Sequence, residues 1–284
     1  GGIWYTPQSG IWQTVWLERV PKRHIEGLRL TPRFDTGEIE VLAWTNVGGT
    51  ITVELLGAET SIVSGVPQRI AVPEFIAWSP ENPKLYDITI TFERDRVESY
   101  FAMRKFSVQE DAQGVPRLHL NNKPYFHNGV LDQGYWPDGL YTAPSDEAMI
   151  YDIELMKSMG FNMLRKHIKI EPLRWYYHCD RLGMLVWQDM VNGGGIYGKA
   201  AISLPLVFGN AHPDNDYAYF AREEVRGREA YQRELHETVN LLYNSPCVAM
   251  WVPFNEGWGQ FVFFFNDAAT PEIYTLPLLD ALPS

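Results

Sequence analysis

The hydrophobic pattern of this sequence changes its period near residue 120, and this change restricts the fold more than any other feature. Before residue 120, short apolar runs with a period of two are separated by turn-forming residues, for example at 35–37 and 79–83. After it, apolar residues recur at helical spacing in some segments and form short continuous strands in others. The pattern predicts an all-β part followed by an α/β part.

The all-β part is predicted to be a sandwich. About seven short strands without an intervening helix, between roughly residues 20 and 108, are typical of an immunoglobulin-like β-sandwich. A strand with two apolar faces is also predicted over residues 10–18, where Ile11, Val15 and Leu17 alternate with Trp12 and Trp16. The other predicted strands cover residues 27–31, 38–45, 50–55, 68–72, 85–92 and 97–106.

The α/β part is predicted to contain a parallel sheet. One helix is expected to begin after Ser145 and to end near Gly160, and the next to begin at Pro172 and to end at Gly183. Further elements are a helix over 217–243 and strands over 125–130, 161–168, 185–188 and 248–254. Because one helix connects each pair of strands, both an open doubly wound sheet and a (β/α)₈ barrel fit the pattern.

Composition excludes several classes of function. The 284 residues carry a formal net charge of -11, so nucleic acid is not an expected partner. No apolar run reaches the roughly 20 residues of a membrane span, so no membrane partner is expected. No glycine-rich nucleotide loop occurs, and no cofactor is predicted. The cellular location stays open between cytoplasmic and secreted or periplasmic.

Polar residues that could carry chemistry follow the predicted parallel strands. In such folds the carboxyl ends of the strands hold the reactive side chains. The polar residues at these ends are Asp132, Gln133, Arg165, Lys166, His167, Gln188, Asp189, Asn255 and Glu256. Carboxylates among aromatic rings suit sugar chemistry, because sugar rings stack on indoles and apolar surroundings raise the pKa of a carboxyl group. The aromatic residues near these strand ends are Tyr135, Trp136, Trp187 and Trp258.

The residues alone leave the roles of these side chains open. Glu256 could act as a general acid/base or could be a solvated residue near a helix start. Asn255 could bind a sugar hydroxyl or belong to a turn, and Arg165 could bind substrate or anchor an ion pair. His167 and Asp189 could hold a metal, but a metal site needs at least three ligands, so none is predicted.

Several separate motifs, in the same order along the chain, resemble glycoside hydrolase family 2, whose members are retaining β-galactosidases, β-mannosidases and β-glucuronidases. The resemblance covers roughly residues 1–260. The motifs are SGIWQTVWLE (9–18), WSPENPKLY (78–86), RKF (104–106), NGVLD (128–132), GFNMLRKH (160–167), VWQD (186–189) and FNE (254–256).

The resemblance implies an immunoglobulin-like β-sandwich followed by the first half of a (β/α)₈ TIM barrel. Residues 1–19 would end an N-terminal sugar-binding jelly roll, 20–108 would form the sandwich, and 109–260 would hold barrel strands 1–4. Residues 261–284 resemble translated sequencing adapter and are expected to be a non-native tail.

The resemblance also assigns roles to residues. It makes Glu256 the general acid/base, while Asn255 contacts the sugar hydroxyl beside the anomeric carbon and Arg165 supports the nucleophile. The residues expected to line the sugar pocket with them are His167, Asp189 and Trp258. The family's nucleophile follows strand 7, so we expect it to be absent from this chain and the chain, as a fragment, to be inactive.

The prediction is therefore a hydrolase of terminal β-linked sugars, most simply a β-galactosidase, whose partner is a β-linked carbohydrate. The resemblance is compatible with a parent enzyme that is a homo-oligomer. One alternative is a carbohydrate-binding protein without catalysis. The other is a metal-dependent barrel hydrolase that uses His167 and Asp189.

Overall fold

The computed structural model describes residue 6 and residues 8–191, 195–199, 201 and 216–255. The first part of this structure is a β-sandwich of two antiparallel sheets. One sheet contains β1 (Ile25–Arg33), β2 (Glu38–Thr45) and β5 (Gln68–Ala71). The other contains β3 (Thr50–Leu55), β4 (Ala58–Val63), β6 (Tyr86–Phe92) and β7 (Asp95–Phe101).

Strict alternation along the central strands builds the core of the sandwich. In β2 every second residue is buried, and β6 shows the same pattern. Because successive strand side chains point to opposite faces, this alternation directs one face of each sheet at the other. The fully buried members of the core include Ile39, Val41, Ala43, Ile51, Val53 and Ile90.

The strand predictions for this part need three corrections. Residues 10–18 form no strand, and Ile11, Val15 and Leu17 are exposed; no described strand pairs with this segment. The predicted strand 97–106 is two strands, β7 and β8 (Phe106–Glu110), and β8 belongs to a separate small sheet. Strand β4 was not predicted, because Ile62 alone is buried in it and alternation is lost. The small sheet is completed by β9 (Pro116–Leu120) and β10 (Lys123–Pro124).

The second part is a four-stranded parallel sheet with strands in chain order. The strands are β11 (Gly129–Asp132), β12 (Met163–Lys166), β13 (Leu185–Asp189) and β14 (Val248–Val252). The helices α1 (Asp146–Ser158), α2 (Leu173–Leu182) and α3 (Val225–Leu242) connect them. A doubly wound sheet reverses its strand order, whereas this sheet does not, so the order fits half of a barrel.

Local chemistry fixes the ends of the first two helices. The Ser145 hydroxyl accepts a hydrogen bond from the Ala148 amide, as expected of an N-cap. Gly183 ends α2 in the left-handed conformation, with φ of 74°.

The third helix is shorter than predicted, because residues 217–221 form turns and α3 begins at Val225. Among the described residues, no helix is both long and apolar enough to cross a membrane.

The sandwich packs directly against the parallel sheet and its helices. Trp78, which is fully buried, donates from its indole Nε1 to the Asp180 carbonyl at 2.8 Å. The Tyr100 hydroxyl donates to Asp180 Oδ2 at 2.7 Å. Lys157 of α1 donates to the Pro80 carbonyl at 2.8 Å and also to Leu182. These contacts join the two parts into one body at the end of α2.

Candidate active site

Alternation along β12 decides which polar side chains share a surface. Arg165 and His167 lie on one face of the sheet, and Lys166 between them lies on the other. Register places Arg165 beside Trp187 of β13, and Trp187 beside Met250 of β14. The polar side chains on the Arg165 face therefore meet at the carboxyl ends of β12, β13 and β14, where a parallel sheet presents its reactive groups.

Asp189 binds Arg165 in a two-point ion pair. Arg165 Nε lies 2.8 Å from Asp189 Oδ1, and Arg165 Nη2 lies 3.0 Å from Oδ2. The Asp189 side chain is fully buried, whereas the Arg165 side chain is 28% exposed. A guanidinium held by both carboxylate oxygens has little freedom to turn. The pair thus fixes the orientation of Arg165.

Arg165 in turn holds Asn255. Its Nη2 donates to Asn255 Oδ1 at 2.9 Å, across 90 residues of sequence. Since the amide oxygen is engaged, the Asn255 Nδ2 group is the end left to donate to another molecule. The chain of contacts Asp189, Arg165 and Asn255 therefore presents an amide donor just beyond β14.

His167 completes the cluster. Its Nδ1 lies 3.1 Å from Asp189 Oδ2, and its side chain is 15% exposed. Because a carboxylate only accepts hydrogen bonds, Nδ1 carries the proton in this contact. In the neutral ring Nε2 is then an acceptor, and a sugar hydroxyl could donate to it.

A second group of charges lies on the opposite face of the sheet. Lys166 is 2.8 Å from Asp132 and 2.9 Å from Glu171, and Lys169 is also 2.9 Å from Glu171. Lys166, Lys169 and Glu171 are almost fully buried, and burial lowers the pKa of Lys169. These ion pairs tie the carboxyl ends of β11 and β12 to the segment that follows β12.

Burial also fixes the state of a histidine near the start of β11. Trp187 donates from Nε1 to His127 Nδ1 at 2.8 Å. Burial lowers the pKa of His127 to about 4, so this ring is neutral at physiological pH. The sequence did not indicate His127 as a site residue, because His127 lies before β11 and not at the carboxyl end of a strand.

The predicted site residues fall into two groups. The structure brings together the side chains of Arg165, His167, Asp189 and Asn255. Asp189 itself is fully buried and is connected to the surface by the residues that it binds. Glu256 and Trp258 lie outside the described residues. Sequence reasoning also missed Lys169 and Glu171, whose charged side chains gave no sign of burial in the sequence.

Two strand-end residues considered for chemistry have other partners. Gln188 lies on the opposite face, where its Oε1 accepts from Tyr176 and its Nε2 donates to the Lys169 carbonyl. Asp132 pairs with Lys166. Within the part of the chain that the structure describes, no group of three His, Cys, Asp or Glu residues is placed to hold a metal ion.

Family models match both parts of the chain. The model described as glycosyl hydrolases family 2 matches residues 24–104, and that of the TIM barrel domain of the same family matches residues 115–269. The first match corresponds to the sandwich and the second to the parallel sheet. The predicted fold, a sandwich followed by part of a TIM barrel, is thereby confirmed.

Individual relatives agree with these models. A beta-galactosidase of Klebsiella pneumoniae is 26% identical over 91% of this chain and 26% of its own length. One of Leuconostoc mesenteroides is 27% identical over 89% of this chain and 25% of its own length. A Faecalibacterium prausnitzii beta-glucuronidase structure superposes with a TM-score of 0.63 at 23% identity, over 81% of this chain and 36% of that one. The chain thus spans about a quarter of the length of these curated relatives.

Proposed function

The chain belongs to glycosyl hydrolase family 2, a family of glycosidases, and on that premise we propose that it carries the acid/base half of the active site of a retaining β-galactosidase. The observation that carries the proposal is the Arg165 contact that fixes Asn255 at the end of β14. Asn255 immediately precedes Glu256. A fixed Asn255 therefore constrains the start of the segment that carries the proposed acid/base.

Each side chain of the cluster has a task that suits its chemistry. Asn255 Nδ2 donates to the sugar hydroxyl beside the anomeric carbon, and His167 Nε2 accepts from another hydroxyl. Arg165 orients Asn255 and, through its guanidinium, supports the nucleophile. Asp189 positions Arg165 and His167 and does not touch the sugar, because it is fully buried and both of its oxygens are engaged.

Glu256 supplies the proton transfers. As an acid it protonates the oxygen of the leaving group, and as a base it later takes a proton from the water that releases the sugar. A retaining mechanism also needs a carboxylate about 5–5.5 Å from the acid/base to form the covalent glycosyl-enzyme. Asp189 is unsuited to that role, because its charge is committed to Arg165. We infer that residues 1–284 alone do not hydrolyse glycosides and that further strands supply the nucleophile.

The charge balance of the cluster supports a neutral sugar. A glucuronide carries a carboxylate, which a pocket recognises with an uncompensated cation. Here the positive charge of Arg165 is matched by Asp189. Since relatives include enzymes named for each sugar, the choice between galactoside and glucuronide rests on this balance.

The test compares two substrates on the full-length protein. We expect p-nitrophenyl β-galactoside to be hydrolysed with retention of configuration, and p-nitrophenyl β-glucuronide at least about tenfold more slowly, which corresponds to about 1.4 kcal/mol. A preference for the glucuronide would overturn the substrate assignment. If the protein binds the sugar but hydrolyses no aryl β-glycoside, this result would refute the enzymatic function and favour a carbohydrate-binding protein.

A further inference from the structure

A short turn connects α3 to β14, the strand that ends just before Asn255. The turn covers residues 243–247, and its last three residues, Ser245, Pro246 and Cys247, are buried. Strand β14 begins directly after it at Val248 and has five residues. Because the strand is so short, the position of the turn bears directly on the position of Asn255.

Asn244 of this turn binds the outer strand of a sandwich sheet at two points. Its Oδ1 accepts from the Leu30 amide at 2.8 Å, and its Nδ2 donates to the Leu28 carbonyl at 2.8 Å. Strand β1 is at the edge of its sheet, so these backbone groups lie on the side away from β2. The side-chain amide of Asn244 thus takes the place of a neighbouring strand, and both of its ends are engaged.

Two further contacts hold the rest of the turn. Arg104, which follows β7 of the sandwich, donates from Nε to the Pro246 carbonyl at 3.1 Å. The Cys247 amide donates to Asp180 Oδ1 at 2.7 Å, and the Tyr100 hydroxyl of the sandwich donates to Oδ2 of the same carboxylate. The sandwich therefore binds the turn directly at two positions and through α2 at a third.

An irregularity in β14 makes a fixed turn necessary. Val186 of β13 pairs with Val248, but the next residue, Trp187, pairs with Met250, so Ala249 is an extra residue in β14. A bulge of this kind changes the direction of the side chains that follow it, and a slip of one residue would exchange the two faces of the strand. The bulge lies directly after the turn, so the contacts of the turn hold the extra residue in place.

We propose that Asn244 is a positioning residue of the active site. By binding the backbone of β1, it lets the sandwich set the position of β14 and hence of Asn255. The inference rests on the proposed function, in which Asn255 donates to the sugar hydroxyl beside the anomeric carbon. The sandwich then contributes to catalysis by placing a strand of the barrel.

The test measures, on the full-length protein, how much the hydroxyl bound by Asn255 contributes to hydrolysis. The readout is the ratio of kcat/KM for p-nitrophenyl β-galactoside to that for its 2-deoxy analogue, which does not depend on the concentration of folded enzyme. We expect Asn244→Ala to lower this ratio about tenfold, because a displaced Asn255 loses a hydrogen bond that strengthens in the transition state. Asn255→Ala gives the ratio without that bond.

Lys157→Met is the matched control. Lys157 joins the sandwich to the end of α2 through the Pro80 and Gly183 carbonyls, away from the turn at 243–247. Its loss weakens the same contact between sandwich and barrel at another place, so it should lower stability and leave the ratio unchanged. Asn244→Asp keeps the acceptor for the Leu30 amide and removes the donor, so its ratio should lie between those of wild type and Asn244→Ala.

Amide hydrogen exchange tests the same placement without a substrate. Asn244→Ala should accelerate exchange in β14 and leave exchange in β12 unchanged. Unchanged exchange in β14, an unchanged ratio in both Asn244 variants, or an equal fall of the ratio in Lys157→Met would each overturn the inference. The proposed function fails differently, since its role for Asn255 is refuted if Asn255→Ala itself leaves the ratio unchanged.

Discussion

At the scale of single residues, Asp189 connects the polar side chains of the candidate site. It is fully buried, it balances the charge of Arg165, and it holds His167 through the same carboxylate. Removing one partner of a buried pair leaves the other charge uncompensated, which costs far more than the loss of an exposed pair. Asp189 is therefore the member of the cluster whose loss should most affect the fold.

Replacing Asp189 by Asn keeps the size of the side chain and removes the charge. We expect Asp189→Asn to lower the free energy of unfolding of residues 1–284 by about 3 kcal/mol, measured by urea denaturation. The control is Glu98→Gln, which removes the exposed ion pair with Arg96 and should change stability by less than about 1 kcal/mol. Similar losses in the two variants would contradict the anchoring role of Asp189.

The sequence could identify the residues at the surface of the site, but not the contacts that connect them. Strand ends of a parallel sheet predict Arg165, His167 and Asn255, because their position in the pattern alone brings them together. That Asp189 is buried behind its partners depends on which face of β13 it occupies relative to β12. The pairing of Trp12 with Lys169 joins segments more than 150 residues apart, and no local pattern encodes such a contact.

At the scale of elements, two glycines end consecutive helices in the same backbone conformation but in different surroundings. Gly160 follows α1 with φ of 90°, and a Cβ added there would meet nothing within 4 Å. Gly183 ends α2 with φ of 74°, and a Cβ there would lie 2.6 Å from the Pro80 carbonyl oxygen of the sandwich. The absence of a side chain at Gly183 therefore permits both the left-handed end of α2 and the close contact of α2 with the sandwich.

This difference gives a matched pair of substitutions. Gly160→Ala should cost about 1 kcal/mol in the free energy of unfolding, because it pays only for a left-handed alanine. Gly183→Ala should cost at least about 1 kcal/mol more, since the sandwich must also move away from α2. Urea denaturation of both variants measures the difference. An equal cost at the two sites would show that the contact with Pro80 does not constrain the fold.

Helices and strands could be predicted from the sequence where a local signal marked them. The Ser145 cap and the two terminal glycines located α1 and α2, and alternation located β2, β3 and β6. Residues 10–18 have strand-like composition but no partner strand in the described structure, so composition misled. Strand β4 has a partner but little burial, so it gave no pattern to detect.

At the scale of the whole molecule, Asp180 is the ionisable group at the centre of the contact between sandwich and barrel. It is buried, it accepts from Tyr100 of the sandwich, and it also accepts from the Cys247 amide before β14. Burial raises the pKa of Asp180 from 3.8 to about 6. The contact between the two parts is therefore expected to depend on pH.

The direction of this dependence follows from the raised pKa. The folded chain binds this proton more tightly than the unfolded chain, so the group stabilises the fold most below pH 3.8, and that contribution is lost as the pH rises from about 4 to about 6. Asp180→Asn should remove a fall on the order of 2 kcal/mol across this range. Urea denaturation at several pH values measures it. An identical pH profile in variant and wild type would contradict the raised pKa.

We propose that Glu256, which directly follows Asn255, is the acid/base of a β-glycosidase. The most direct test is the leaving-group dependence of hydrolysis by the full-length protein with Glu256→Gln, beside Glu229→Gln on the exposed surface of α3 as control. We predict that Glu256→Gln slows hydrolysis of a β-galactoside with a poor leaving group by about 10²–10⁴-fold, and much less with 2,4-dinitrophenolate, which leaves without a proton. An equal loss for both leaving groups, or no loss, would contradict this role of Glu256.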